Sequence, residues 1–287
     1  MHTTKKSFKS LLNQDGILVA PGAYDCITAM LIEQAGFSVA YMTGSGTSAS
    51  LGYPDYGLLT MSETVENAGR MARAIHIPLI ADADTGYGNE LNVIRTVQEF
   101  ESRGVAGIHI EDQQMPKKCG HLDGKSVIPA EDFIIKIRAA VAARKSEDFC
   151  IIARTDARAI HGMDEAVRRM NLAFEAGADM LFLEAPQTLA EIEEIPRRVK
   201  GPCMINLNRG GKTPLFEIPW AEKVGFKFVI ASGLLLKTVM GHCDRVLADF
   251  RRSGVHPVTE FDGSALETFK RFGAQEWDEL RDRFKTV

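Results

Sequence analysis

Eight short β-rich runs alternate with amphipathic stretches along this chain, and no other feature limits the possible folds as tightly. The strand candidates are Ile17–Ala20, Val39–Thr43, Leu79–Asp84, Gly107–Asp112, Ile151–Asp156, Met180–Glu184, Cys203–Leu207 and Phe228–Ser232. Between them lie helical patterns over Ala23–Ala35, Ser62–Ala74, Glu90–Arg103, Ala130–Ala143, Met163–Ala176, Leu189–Val199 and Pro214–Val224, with Leu234–Arg252 after the eighth strand. Gly36, Gly104, Gly177 and Gly225 each stand just after a helical pattern, where a left-handed residue is wanted. Strands alternating with helices pair in parallel through right-handed crossovers. Eight such units favour a closed barrel over an open sheet, because closure removes both edges. The expected class is therefore α/β, a (β/α)8 TIM barrel forming one domain over residues 1–287. Residues 253–261 break the helical pattern, and a last helix at roughly Ser264–Phe284 is surplus to a closed barrel. Residues 253–287 thus read as a C-terminal helical extension that packs on a neighbouring subunit.

Composition narrows the function classes. The chain has 287 residues, and its formal charge of −4 gives no electrostatic reason to expect nucleic acid or an anionic membrane as a partner. No apolar run approaches the roughly 20 residues that span a bilayer. The opening Met1-His2-Thr3-Thr4-Lys5-Lys6 carries no apolar signal region, and the five cysteines are widely spaced with no CxxC pair. Reduced thiols in a cytoplasmic compartment are the expectation.

The chemistry-bearing residues fall at the strand ends that face the active site in such a barrel. Asp82 and Asp84 end the third strand, His109 and Glu111 the fourth, Arg154 and Asp156 the fifth, Glu184 the sixth, and Asn206 and Asn208 the seventh. A spacing of two points both members of a pair to one side of the sheet. Asp82, Asp84 and Glu111, with Asp55 on a preceding loop, form a hard-oxygen cluster suited to Mg²⁺, with Mn²⁺ as a substitute. Taken singly, each of these acids also fits a helix cap. Arg154 has the fork geometry for a carboxylate or enolate, or for an ion pair at the rim with Glu184. The Gly44-Ser45-Gly46-Thr47-Ser48 turn after the second strand offers amides for an anion nest. Cys119 stands among Lys117, Lys118 and His121, and nearby cations are expected to lower its pKa and make it a useful proton donor. Gly120 lets the backbone approach a ligand closely. Cys26, Cys150, Cys203 and Cys243 read as core residues, and Trp220 and Trp277 as packing residues.

Together these motifs resemble a known family. Asp82-Ala83-Asp84-Thr85-Gly86-Tyr87-Gly88, His109-Ile110-Glu111-Asp112-Gln113, Lys117-Lys118-Cys119-Gly120-His121, Ala153-Arg154-Thr155-Asp156-Ala157 and Gly211-Lys212-Thr213-Pro214 are similar to the isocitrate lyase/phosphoenolpyruvate mutase superfamily. The Lys-Lys-Cys-Gly-His loop is that of its lyase branch. The resemblance implies that Asp84 binds Mg²⁺ most directly, with Asp55, Asp82 and Glu111 holding its waters. It implies Tyr41, Thr43, Gly44 and Ser45 at the 2-oxo-acid end of the substrate and Cys119 as general acid on a closing loop. Lys117, Gly120, His121, Arg154, Glu184 and Asn206 would bind or orient the substrate. The implied assembly is a homotetramer, a dimer of dimers, with the final helix swapped between subunits.

Val127-Ile128-Pro129-Ala130-Glu131 and the run from Asn206 to Pro214 look closest to methylisocitrate, dimethylmalate and related alkylmalate lyases, including petal-death-type proteins. Many relatives carry an acid where this chain has Arg209, which leaves the substrate open. The expected reaction is cleavage of a 2-hydroxy di- or tricarboxylate to pyruvate or glyoxylate and a carboxylic acid, with Tyr41 and Glu184 as candidate bases. An oxaloacetate hydrolase, a phosphonopyruvate-type enzyme and a non-catalytic ligand-binding barrel are the alternatives.

Overall fold

The computed structural model describes residues 7–285; the opening Met1–Lys6, read above for the absence of an apolar leader, lies outside them. The chain forms one compact unit up to Leu236 and a second over Lys237–Val287. In the first, eight strands close in chain order: β1 Leu18–Ala23, β2 Ala40–Met42, β3 Leu79–Asp82, β4 Gly107–Glu111, β5 Cys150–Thr155, β6 Met180–Leu183, β7 Cys203–Asn206 and β8 Phe228–Ala231. Every neighbouring pair is parallel. The barrel shuts where β1 meets β8, with Leu18 opposite Phe228 and Pro21 opposite Ala231. Gly22 allows that closure, because a Cβ there would collide with the Ser232 carbonyl. All eight expected strands are present, shifted by a few residues at their ends.

Side chains alternate across the sheet as the pleat requires. Tyr41, Ile80, Ile152, Phe182, Met204 and Ile230 form the cluster inside the barrel, and Phe8 and Leu11 join it from the helix Phe8–Leu12. Phe8 is fully buried and meets Phe228 edge-on at 5.1 Å, a burial that contributes about 1.5–3 kcal/mol. Lys9 of the same helix donates to Asp179 at 2.7 Å, just before β6. This short helix, absent from the sequence reading, therefore plugs the end of the barrel where strands begin. The opposite end stays open for chemistry. The alternate side chains, among them Met42, Ile108, Ile151, Leu181 and Val229, pack outward against the helices.

Local signals set the helix limits. Asp25 with Thr28, Thr60 with Glu63 and Asn89 with Asn92 make reciprocal caps at the starts of Cys26–Gln34, Met61–Ala74 and Glu90–Ser102, each cap contributing about 1 kcal/mol. Gly36, Gly104, Gly177 and Gly225 all adopt positive φ as expected. Three expectations change. Gly44–Ser50 is a short helix rather than a glycine-serine turn. The helix expected from Pro214 begins only at Ile218, with a proline in its first turn, where a missing N–H costs nothing. The single last helix is two, Ala265–Lys270 and Ala274–Arg283, parted by Gly273 at φ 82°, a conformation no continuous helix accommodates.

The second unit holds most of the helix Leu234–Ser253 and these two shorter helices, and none of the three has a buried residue. Leu247, Leu266, Phe269, Trp277 and Phe284 are each more than 60% exposed. Cys243, expected in a core, is exposed for the same reason, whereas Cys150 and Cys203 are buried and Cys26 is half-buried. Among the described residues, no helix is long and apolar enough to cross a membrane.

Candidate active site

The open end of the barrel gathers strand-end residues into one pocket. Tyr41, Thr43 and Ser45 line it from β2 and its exit, Arg154 from β5, Phe182 and Glu184 from β6 and its exit, Asn206 from β7, and Ile230 and Ser232 from β8 and its exit. Cys119, Gly120 and His121 cover it from the loop after β4, beside Asp55 and Asp82. Gly44, Asp84, Glu111 and Lys117 lie next to this lining. A Cβ on Gly44 would come within 2.5 Å of the Asp82 carboxylate, so only glycine lets the helix Gly44–Ser50 start there.

The loop reaches its place through backbone and charge. The Cys119 N–H donates to the Asp55 carbonyl at 3.1 Å, and Gln113 holds Lys118 by both its N–H and its carbonyl. Gly120 sits so close to the pocket floor that a Cβ would fall 2.5 Å from both Arg154 Nη2 and Glu184 Cγ. His121 accepts the Lys212 N–H on Nδ1. Its own proton therefore resides on Nε2, 3.1 Å from Glu184 Oε1. Gly211 leaves room for that imidazole.

Two of the four acids assigned to a metal, Asp55 and Asp84, meet on one ammonium, while Glu111 faces Arg154 and Asp82 faces His109. The Lys117 ammonium lies 2.5 Å from Asp55 and 2.7 Å from Asp84. Burial alone would lower its pKa, yet Asp84, Glu111, Asp55 and Asp82 together raise it well above the ordinary value. Burial also lifts Asp84 to about 6 despite Lys117. For Asp82 burial is outweighed by His109, Lys117 and Arg154, which hold it down at about 2. Asp84 is at φ 48°, and its N–H donates to Asp82 Oδ1 at 2.9 Å, a local bond of the kind that lets Asp adopt this region.

Among the described residues, no three His, Cys, Asp or Glu side chains form a ready-made metal cage. The donors nonetheless fit a hydrated divalent cation. Mg²⁺ uses one or two carboxylates and keeps several waters. Glu111 has both oxygens buried without a hydrogen bond, although Arg154 Nη1 lies 3.1 Å from one of them. Such orphaned acceptors are what the waters of a hydrated cation satisfy.

One expectation about the thiol is reversed. Burial pushes Cys119 up to about 11, and the Asp55 charge adds to it, while a His121 backbone bond and Arg154 pull weakly the other way. The adjacent Lys117 gives no such help, because its charge is engaged by Asp55 and Asp84. The sulfur is thus a protonated thiol at neutral pH, which still makes it a proton source.

The structure adds partners that the motifs did not disclose. His109, fully buried, stands 2.8 Å from the Tyr41 hydroxyl and 3.6 Å from Asp82; burial brings it down to about 4, so it is neutral. Asp156 grips Arg154 at Nε, 3.1 Å away, and Phe182 lies under its guanidinium at 5.4 Å. Ser232 donates to Asn206 Oδ1 at 2.9 Å, which leaves the amide nitrogen for a ligand. Asp112 is locked by Thr155 and Arg169. Lys125, within a polar turn of the sequence, sends its ammonium to Asp156 at 2.7 Å. Contacts over 26 to 68 residues of sequence carry no short-range signal.

The comparisons with known proteins agree with this fold. Residues 8–251 match the phosphoenolpyruvate phosphomutase family model. A 2,3-dimethylmalate lyase of Eubacterium barkeri is 48% identical over 80% of both chains. A 2-methylisocitrate lyase of Aeropyrum pernix is 44% identical over 86% of this chain and 79% of its own. Among solved structures, an oxaloacetate acetylhydrolase in complex with 3,3-difluorooxalacetate superposes with a TM-score of 0.95, at 34% identity over 100% of this chain and 98% of the other. A phosphonopyruvate hydrolase complexed with oxalate and Mg²⁺ has a TM-score of 0.86, at 31% identity over 99% of this chain and 100% of the other.

Proposed function

This chain belongs to the phosphoenolpyruvate mutase/isocitrate lyase superfamily, and from that premise we propose that it is a divalent-metal-dependent carbon–carbon lyase acting on a 2-hydroxy di- or tricarboxylate of the alkylmalate or methylisocitrate type. The observation that carries the proposal is one pocket in which the protonated Cys119 thiol faces Arg154, Glu184, His121 and Asn206.

Asp84 would hold the cation most directly, with Asp55, Asp82 and Glu111 around its waters; the magnesium in the similar hydrolase supports the choice of a divalent cation. A bound Mg²⁺ or Mn²⁺ supplies Lewis-acid polarisation of the substrate's hydroxyl and adjacent carboxylate. The chain's own groups account for the remaining chemistry. Glu184 is the better base of the two candidates, because its Oε2 is buried without a partner. The Tyr41 hydroxyl is pushed well above its usual pKa by burial and is tied to His109. Loss of the hydroxyl proton to Glu184 turns that oxygen into a carbonyl, and the electron pair of the broken C–C bond passes to the carbon beside the second carboxylate. Arg154, the Asn206 amide and the His121 imidazole stabilise the charge there. Cys119 delivers its proton to that carbon. Thr43, Gly44 and Ser45 flank the oxo-acid product, while Lys117 neutralises the acids beneath it.

A hydrolase acting on oxaloacetate is the second reading, favoured by the likeness to oxaloacetate acetylhydrolase over the full chain. The deciding experiment incubates the protein with Mg²⁺ and 2,3-dimethylmalate, 2-methylisocitrate, oxaloacetate or phosphonopyruvate. Pyruvate from either of the first two supports the lyase. Oxalate from oxaloacetate selects the hydrolase, phosphate from phosphonopyruvate selects a phosphonate enzyme, and silence across the panel removes all three. Chelation should abolish the activity, and either Mg²⁺ or Mn²⁺ should restore it.

We also propose that the exposed apolar side chains of the second unit pack on another copy in a homotetramer.

A further inference from the structure

Lys125 is a buried cation that the reaction as derived does not use. Its side chain is 2% exposed, and its partner Asp156 is fully buried. The ammonium donates to Asp156 Oδ1 at 2.7 Å and also to the Gly120 carbonyl. Those two acceptors belong to different parts of the molecule. Gly120 lies between the proposed acid Cys119 and the proposed substrate ligand His121, on the covering loop. Asp156 stands just beyond β5 on the barrel wall, where it also holds Arg154 through Nε at 3.1 Å and Nη2 at 3.4 Å. Lys125 is not among the residues lining the pocket, and both of its bonds go to groups of the protein itself.

We propose that Lys125 is a positioning residue: by joining the Gly120 carbonyl to Asp156, it latches the Cys119 loop onto the wall that orients Arg154. The idea rests on the lyase reading above for its catalytic consequence, but the latch itself is a property of the loop. Three features of the geometry support it. The bond goes to backbone, so it fixes the loop's path whatever side chains flank Gly120. The absence of a Cβ at Gly120 brings that carbonyl within reach, since any larger residue would strike Arg154 and Glu184. The leading limb of the loop has its own fixture in Gln113, which clamps Lys118 on both sides. The limb after Cys119 needs another, and Lys125 provides it with a charge-assisted bond. Asp156 in turn shares its negative charge between the loop's lysine and the barrel's arginine. Release of the latch therefore loosens the acid and Arg154 together.

The test reads loop closure without requiring turnover. Cys119 is alkylated with iodoacetamide in the native protein and quantified by peptide mass spectrometry, with exposed Cys243 in the same molecule as the reference. In Lys125→Met the Cys119 rate relative to Cys243 should rise about tenfold or more, as expected when a charge-assisted bond that favours one of two loop states is removed. Lys125→Gln, which keeps a donor for the Gly120 carbonyl without the charge, should show a smaller rise and decides the matter if the methionine variant does not fold. An unchanged ratio in a folded variant overturns the latch. If the lyase reading holds, Lys125→Met should lower kcat more than it raises KM, and propylamine added to Lys125→Ala should restore part of the loss. Faster alkylation in a protein inactive on every substrate would uphold the latch while rejecting the lyase. Normal alkylation with full turnover would do the opposite.

Discussion

The rim of the barrel and the C-terminal unit break the same rule in opposite directions. At the rim, Asp82, Asp84, Glu111, Lys117, Arg154 and Glu184 are all buried. In the C-terminal unit Phe269, Trp277 and Phe284 stand in solvent. Buried charge costs free energy unless it is paired or coordinates a metal, and exposed apolar surface of this extent marks an interaction site. Each region is thus incomplete in its own way. The rim has hard, charged donors and orphaned acceptors that suit a cation and an anionic small molecule. The other region has aromatic surface that suits protein.

The sharpest way to break this comparison is to alter the rim alone. Cys119→Ser should lower kcat by about 10²–10⁴-fold while magnesium binding, read by calorimetry, survives; retained turnover would dismiss the thiol as the acid. Arg154→Lys should cost about 10²-fold, because a lysine cannot grip Asp156 and a carboxylate together. Phe8→Ala, at the closed end of the barrel, should destabilise by about 3–5 kcal/mol with kcat per folded molecule unchanged, and a denaturant titration beside an assay separates the two. Trp277→Asp should reduce the oligomer seen by light scattering and leave the barrel's unfolding cooperative; an unaltered mass would remove the interface role of this face. Smallest of all, Leu91→Gln, at a position 68% exposed on the barrel surface, should shift stability by no more than about 0.5 kcal/mol. An effect as large as that of Trp277→Asp would mean that exposed apolar residues on the barrel are as engaged as those of the C-terminal unit.

Much of this was legible before any coordinates. The strands and the glycines that close their helices follow from local periodicity and backbone sterics, so Leu79–Asp82 and Gly225 were found where expected. The rim residues were legible because strand ends in a barrel share one face, which brought Asp82, Arg154, Glu184 and Asn206 into a single pocket. The errors share a cause as well. Gly44–Ser50 looks like a turn because glycine and serine are poor helix formers, yet its fit beside Asp82 and Tyr24 carries it into a helix. Cys119 looked activated because lysines adjoin it in sequence, but Lys117 turns its charge to Asp55 and Asp84.

What the sequence settled by itself was the eight strands, their order, and the identity of the groups at the rim, since period, caps and turns act over a few residues. Only the tertiary structure decided that Cys119 stays protonated, that His109 backs Tyr41, and that Lys125 reaches Asp156. Those outcomes depend on burial and on charges brought together from distant parts of the chain, and electrostatic energy follows distance in space rather than distance along the backbone.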